Sequence, residues 1–129
     1  MEIQIKSLGS QSKENPIVMV ARGVLNIAGF HQIVVAINRL TKIHSEGAVL
    51  IDLAEARYEL QAAEIDELIG KSPWLQGQKI ALVAARRSEH FNQASALSAC
   101  LLKHGFKTAV FYDATVAADW LQHSDLSSL

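Results

Sequence analysis

The sequence predicts a single α/β domain of order ββαβαβαβα, a mixed sheet with a parallel core, an antiparallel N-terminal edge hairpin, and helices covering it. Three observations carry this expectation. Short apolar runs alternate along the chain with segments whose apolar residues recur every three or four positions. The first two strand-like runs are separated by a stretch too short for a parallel crossover, which makes them antiparallel neighbours. The length, 129 residues, suits one domain, and such a chain buries roughly two-thirds of its unfolded surface without metal or disulfide. With no internal repeat, low-complexity stretch or linker, one domain is expected over 1–129, its core spanning 17–121 and its tail 124–129.

The elements follow in order. Ile3 and Ile5 alternate with Glu2, Gln4 and Lys6, the pattern of a half-buried edge strand. After a polar, turn-forming stretch from Gly9 to Pro16, Ile17 to Ala21 forms a continuous apolar strand. Asn26 is placed to cap a helix whose stripe is Phe30, Ile33, Val34, Ile37, Leu40 and Ile43, closed by Gly47. Ala48 to Leu53 is a buried strand interrupted only by Asp52. Ile65, Leu68 and Ile69 suggest a second helix ending at Gly70, with Pro73 beyond. Its start is undefined, since no Ser, Thr or Asn lies between Leu53 and Ala63. Ile80 to Ala85 is the next strand. Ser88 is placed to cap a third helix with Phe91, Ala94, Leu97 and Leu101 inward and Gly105 after its end. Val110-Phe111-Tyr112 lies in a further strand. Asp113 or Thr115 caps a last helix showing Val116, Ala117, Trp120 and Leu121 on one side.

Composition narrows the function classes. The net charge of −1, from 12 basic and 13 acidic side chains, provides no excess of cations for phosphate neutralisation. It argues against nucleic acid and anionic membrane surfaces as partners. The single cysteine, Cys100, forms no internal disulfide and fits a reducing compartment. The N-terminus lacks the apolar core of a signal peptide, and apolar runs such as Ala48 to Ile51 are far too short to span a bilayer. A cytoplasmic protein is expected. His31, His44, His90, His104 and His123 form no pair at ligand spacing, so neither a metal nor another cofactor is expected. Gly70-Lys71-Ser72 resembles the tail of a phosphate loop, but it follows a helix and Ile65 stands where that loop needs glycine. No nucleophile elbow, dinucleotide turn or Cys-x-x-Cys pair occurs, so no catalytic residue is assigned.

The order and spacing of three segments resemble the STAS superfamily, and more closely the small bacterial SpoIIAA-like proteins, which are related in shape to CRAL-TRIO domains. The segments are Ala48-Val49-Leu50-Ile51-Asp52-Leu53, Lys79-Ile80-Ala81-Leu82-Val83-Ala84, and Val110-Phe111-Tyr112-Asp113 followed by Ala117-Ala118-Asp119-Trp120-Leu121. The resemblance implies the fold above and a role in protein interaction; the CRAL-TRIO likeness implies an apolar or acidic ligand held between helices and sheet. One departure bears on mechanism. In phosphorylated STAS regulators a Ser or Thr follows the Asp-ending strand, and its phosphate adds about two negative charges at a helix start. Here Ala54 to Ala63 contains neither residue, so that switch has no acceptor.

The remaining candidates have two readings each. Asp52 either accepts structural hydrogen bonds at its strand's end or lines a ligand crevice there. Arg57 and Tyr58 follow that strand, and Arg86, Arg87, Ser88 and His90 follow the next. Adjacent strands would bring these loops together as an anion site aided by the third helix's N–H groups; otherwise they are solvated ion pairs. Trp74 either packs over the core or anchors an interface. The expected function is a non-catalytic interaction module with a protein partner or self-association as a homodimer; the alternative is a small carrier of an apolar or acidic ligand.

Overall fold

The computed structural model describes residues 1–7, 17–43, 48–71 and 79–123. Among them are strands β1 (Glu2–Ser7), β2 (Ile17–Leu25), β3 (Ala48–Asp52), β4 (Ala56–Tyr58), β5 (Lys79–Val83) and β6 (Lys107–Phe111). The helices are α1 (Ile27–Ile43), α2 (Ala62–Gly70), α3 (Ser88–Lys103) and α4 (Ala114–His123). The main sheet has the order β1-β2-β3-β5-β6. β1 and β2 are antiparallel, with Ile3 opposite Ala21, while the β2–β3, β3–β5 and β5–β6 pairs are parallel. The expected hairpin edge and parallel core are therefore present.

The sequence order lacked one strand. β4 pairs in parallel with the far end of β2, Gly23 beside Ala56 and Leu25 beside Tyr58. Arg57 and Tyr58 are thus strand residues rather than loop residues. Three residues, Ala-Arg-Tyr, are too few to display an alternation, so the tertiary pairing defines the element.

The sheet is covered unequally. On one face, Met19, Ala21, Val49, Ile51, Ile80 and Leu82 meet Phe30, Ile33, Val34 and Ile37 of α1, Ile65 and Ile69 of α2, and Leu97 and Leu101 of α3. On the other, among the described residues, Leu50, Ala81 and Val83 meet Ala117 and Leu121 of α4, with Trp120 partly buried beside them. Val116, expected to face inward, is 54% exposed. One helix crossing a sheet face contacts it through a narrow stripe, which Ala117 and Leu121 fill.

The helix starts correct two further expectations. At α2, Gln61 is the cap residue, and its backbone N–H donates to the Glu64 carboxylate at 3.0 Å. At α3 the cap is Arg87, in extended geometry, so Ser88 is the first helical residue rather than the cap. Elsewhere the side-chain logic holds. Asn26 Oδ1 accepts the Gly29 N–H at 2.9 Å, and Asp113 Oδ1 accepts the Thr115 N–H at 2.7 Å. Gly105 has φ +92° just after α3, a conformation that favours glycine. β6 ends at Phe111, leaving Tyr112 outside it. His44, Gly47, Pro73 and Trp74 lie outside the described residues.

Gly29, buried in the first turn of α1, carries a prediction. A β-carbon there would stand 2.9 Å from the Val24 carbonyl oxygen and 3.3 Å from Met1 Sδ. Helix propensity alone favours Ala over Gly by about 1 kcal/mol. The backbone contact should reverse that sign, so Gly29→Ala is expected to lose about 1 kcal/mol in urea unfolding. A gain in stability would contradict the close packing of the first turn of α1 against Val24 of β2 and Met1.

Candidate functional site

The site forms where parallel strands deliver their carboxyl ends. β3 closes on Asp52, whose Oδ1 accepts the Ala54 N–H at 3.0 Å, and the Ala56 N–H then donates to the Leu53 carbonyl at 2.9 Å. This turn redirects the chain into β4. β3 and β5 stay joined beyond the turn, with the Leu53 N–H donating to the Val83 carbonyl at 2.9 Å. The two connections therefore face each other across a cleft of about 440 Å³.

His90, in the first turn of α3, ties the cleft's walls together. It is 4% exposed. Its Nδ1 accepts the Ala85 N–H at 3.1 Å, and its Nε2 lies 3.0 Å from the Ala56 carbonyl oxygen. A backbone N–H only donates, so Nδ1 supplies a lone pair and Nε2 carries the proton given to Ala56. This neutral tautomer satisfies both ring nitrogens. Neither is left for a metal or a reacting group. The Tyr58 ring meets the imidazole edge-on, with centroids 5.0 Å apart at 71°.

Tyr58 lines the cleft and also carries a buried, unsatisfied group. Its hydroxyl oxygen is buried without a hydrogen-bond partner among the described residues. Burial raises the phenol's pKa far above its ordinary value. A buried, unpaired hydroxyl costs about 1–3 kcal/mol. Tyr58→Phe is therefore expected to raise the thermal midpoint. An unchanged or lower midpoint would show that the hydroxyl is already satisfied.

The charges around the opening are balanced. Arg57 and Arg87 line it together with Glu55 and Glu89. Arg57 pairs with Glu59 at 3.1 Å, and Glu55 pairs with Arg22. Arg87 and Glu89 belong to no ion pair among the described residues. The arrangement supplies hydrogen bonding and charges of both signs rather than a positive basin for an anion.

Of the residues singled out in the sequence, Arg57, Tyr58, Arg87 and His90 share this cleft. Asp52 stands behind it as the acceptor of its turn. Arg86 lies apart, its guanidinium 5.6 Å from the centroid of Tyr112, whose ring packs on Phe91. Ser88 is the first residue of α3. Trp74 is outside the described residues. The sequence reading did not single out Glu55, Glu89 and Gln93 as cleft residues. Gln93 stands three positions from His90 and four from Glu89 on α3, and that shared face is the signal that would have found them.

Two groups elsewhere have shifted acidities. Asp66 on α2 accepts from His104 at 3.0 Å and Lys103 at 3.1 Å, joining α2 to the end of α3, and these bonds hold its carboxyl below the usual range. Burial, assisted by the negative charge of Asp66, raises the Cys100 thiol's pKa and keeps it protonated. Among the described residues, no cluster of three His, Cys, Asp or Glu is placed to hold a metal. No helix among them is long and apolar enough to cross a membrane.

No protein-family model matches the chain, and no curated protein matches it significantly. Among solved structures, an uncharacterised DUF3478-family protein with a SpoIIAA-like fold, from Shewanella loihica PV-4, is 19% identical. The match covers 93% of this chain and 92% of that one, with a TM-score of 0.55. The anti-sigma factor antagonist SpoIIAA in its unphosphorylated form is 11% identical, over 99% and 100% of the two chains, with a TM-score of 0.47. The chain has the SpoIIAA-like, STAS-type fold that its sequence order suggested.

Proposed function

We propose that this chain is a non-catalytic interaction domain that receives a protein segment in the cleft between β4 and the start of α3. The observation that carries this reading is a cleft of about 440 Å³ edged by charges of both signs, Arg57 and Arg87 with Glu55 and Glu89. A peptide offers side chains of both charges, whereas a small anion would meet Glu55 and Glu89 as well as the two arginines in the same cleft. The state of His90 supports binding over proton transfer, since both ring nitrogens are committed to backbone groups. The STAS-type fold accords with an interaction role, although a fold by itself fixes no function. The stretch from Ala54 to Ala63 has no Ser or Thr, so control of this binding does not run through a phosphoserine or phosphothreonine in that segment.

The ligand-carrier alternative draws less support. The void enclosed by Phe30, Ile51, Leu82 and their neighbours is about 20 Å³, space for a single water and not for an acyl chain.

Site-specific photo-crosslinking in cells tests the proposal. A photoreactive residue replacing Gln93 should capture a discrete protein, and the same residue replacing exposed Val116 on α4 should not. Equal capture from both positions, or none from Gln93, would overturn the assignment.

A further inference from the structure

We propose that β6 is a docking edge for a second copy of this chain, paired antiparallel about a twofold axis at Val110. β6 ends the sheet: β5 lies on one side, and no strand among the described residues lies on the other. The Ala84 N–H donates to the Phe111 carbonyl at 2.7 Å, and Val83 is in register with Phe111. In a parallel ladder a residue turns both backbone groups to one neighbour, while the residues beside it turn theirs the other way. Lys107, Ala109 and Phe111 therefore bond toward β5, and Thr108 and Val110 present N–H and C=O outward. The strand Lys107–Phe111 contains no proline and only one charge, and its register with β5 is unbroken. Proline, charge and bulges are the devices by which edges are usually protected, and of these the strand has only Lys107.

The flanks of the edge identify the occupant. Ser98 Oγ donates to Thr108 Oγ1 at 3.3 Å, and Phe91 packs on Tyr112 with centroids 4.9 Å apart. The α3 row through Phe91, Ser98 and Leu102 thus runs beside β6, since residues three and four apart share a helix face. Two of the exposed apolar residues stand at opposite ends of this border, Leu102 at 55% and Tyr112 at 42% exposure. Antiparallel pairing centred on Val110 sets position 108 against 112 and 107 against 113 of the second copy. It brings the Leu102 end of each chain to the Tyr112 end of the other. Lys107 and Asp113 also meet, both exposed and neither in an ion pair among the described residues. A parallel, in-register pairing would instead set Lys107 beside Lys107. Charge and apolar surface both favour the antiparallel twofold arrangement. This edge is separate from the cleft, so the dimer does not depend on what the cleft binds.

Sedimentation equilibrium of the full chain tests the proposal, with wild type compared against Lys107→Glu and Val110→Pro. Wild type should dimerise, Lys107→Glu should raise the dissociation constant at least fivefold, and Val110→Pro should be monomeric. Proline at 110 removes an outward N–H and no internal ladder bond, and circular dichroism checks that the variant folds. If it does not fold, Lys107→Glu decides alone. A wild type that stays monomeric, or a dissociation constant unmoved in either folded variant, overturns the proposal. Crosslinking from Gln93 should persist in Lys107→Glu, which separates failure of the edge from failure of the cleft.

Discussion

His90→Ala is expected to lower the unfolding free energy by about 3 kcal/mol. The ring lies buried between two backbone groups, the Ala85 N–H and the Ala56 carbonyl. Truncation removes both bonds and leaves a donor and an acceptor enclosed without partners, each at about 1–3 kcal/mol before relaxation. It also takes away the edge on which the Tyr58 ring rests. The loss should appear as a lower urea midpoint with an unchanged slope, because the folded and unfolded surfaces alter little. A loss below about 1 kcal/mol would mean that water replaces the imidazole in bridging β4 to the start of α3.

Leu82→Ala should cost about 3 kcal/mol or more, for a different reason. Leu82 has no exposed surface and stands in β5, a strand paired on both sides, on the face covered by α1, α2 and α3. Neighbouring strands hold its surroundings in place, so a cavity left there collapses only partly. Val116→Ala supplies the contrast. At 54% exposure, that side chain should contribute within about 0.5 kcal/mol of zero. Similar losses at the two positions would contradict the assignment of α4's inner stripe to Ala117 and Leu121.

The parallel core was legible because strands buried on both faces are apolar at consecutive positions. Val49-Leu50-Ile51 and Ile80-Ala81-Leu82-Val83 show this, sending alternate residues to opposite layers. β4 was not legible, since its pairing with β2 is a tertiary event written in three residues. α2 hid its start because its cap, Gln61, is neither a hydroxyl residue nor an Asn, and its tie is a backbone N–H donated to Glu64. At α3 the same logic favoured Ser88 over Arg87, although the helix already begins at Ser88.

The candidate site was legible in outline for one reason, the adjacency of β3 and β5. That adjacency gathers Arg57, Tyr58, Arg87 and His90, whereas Arg86 turns to Tyr112 on the other side of the loop. The fastening role of His90 was hidden because one of its partners is a backbone carbonyl 34 residues earlier in the chain. Backbone groups carry no signature in a sequence. Glu55, Glu89 and Gln93 were hidden because charged and amide residues at helix starts and turns read as ordinary solvated surface.

The most direct measurement of the central claim is calorimetric titration of the protein captured through Gln93 into wild type and into the Arg57→Glu/Arg87→Glu double variant. Both arginines are exposed, so the variant should fold with a nearly unchanged thermal midpoint. Each lost charged hydrogen bond is worth about 1.5–3 kcal/mol, which predicts affinity weaker by more than about tenfold. An equal dissociation constant for the two proteins would contradict the cleft as the binding site.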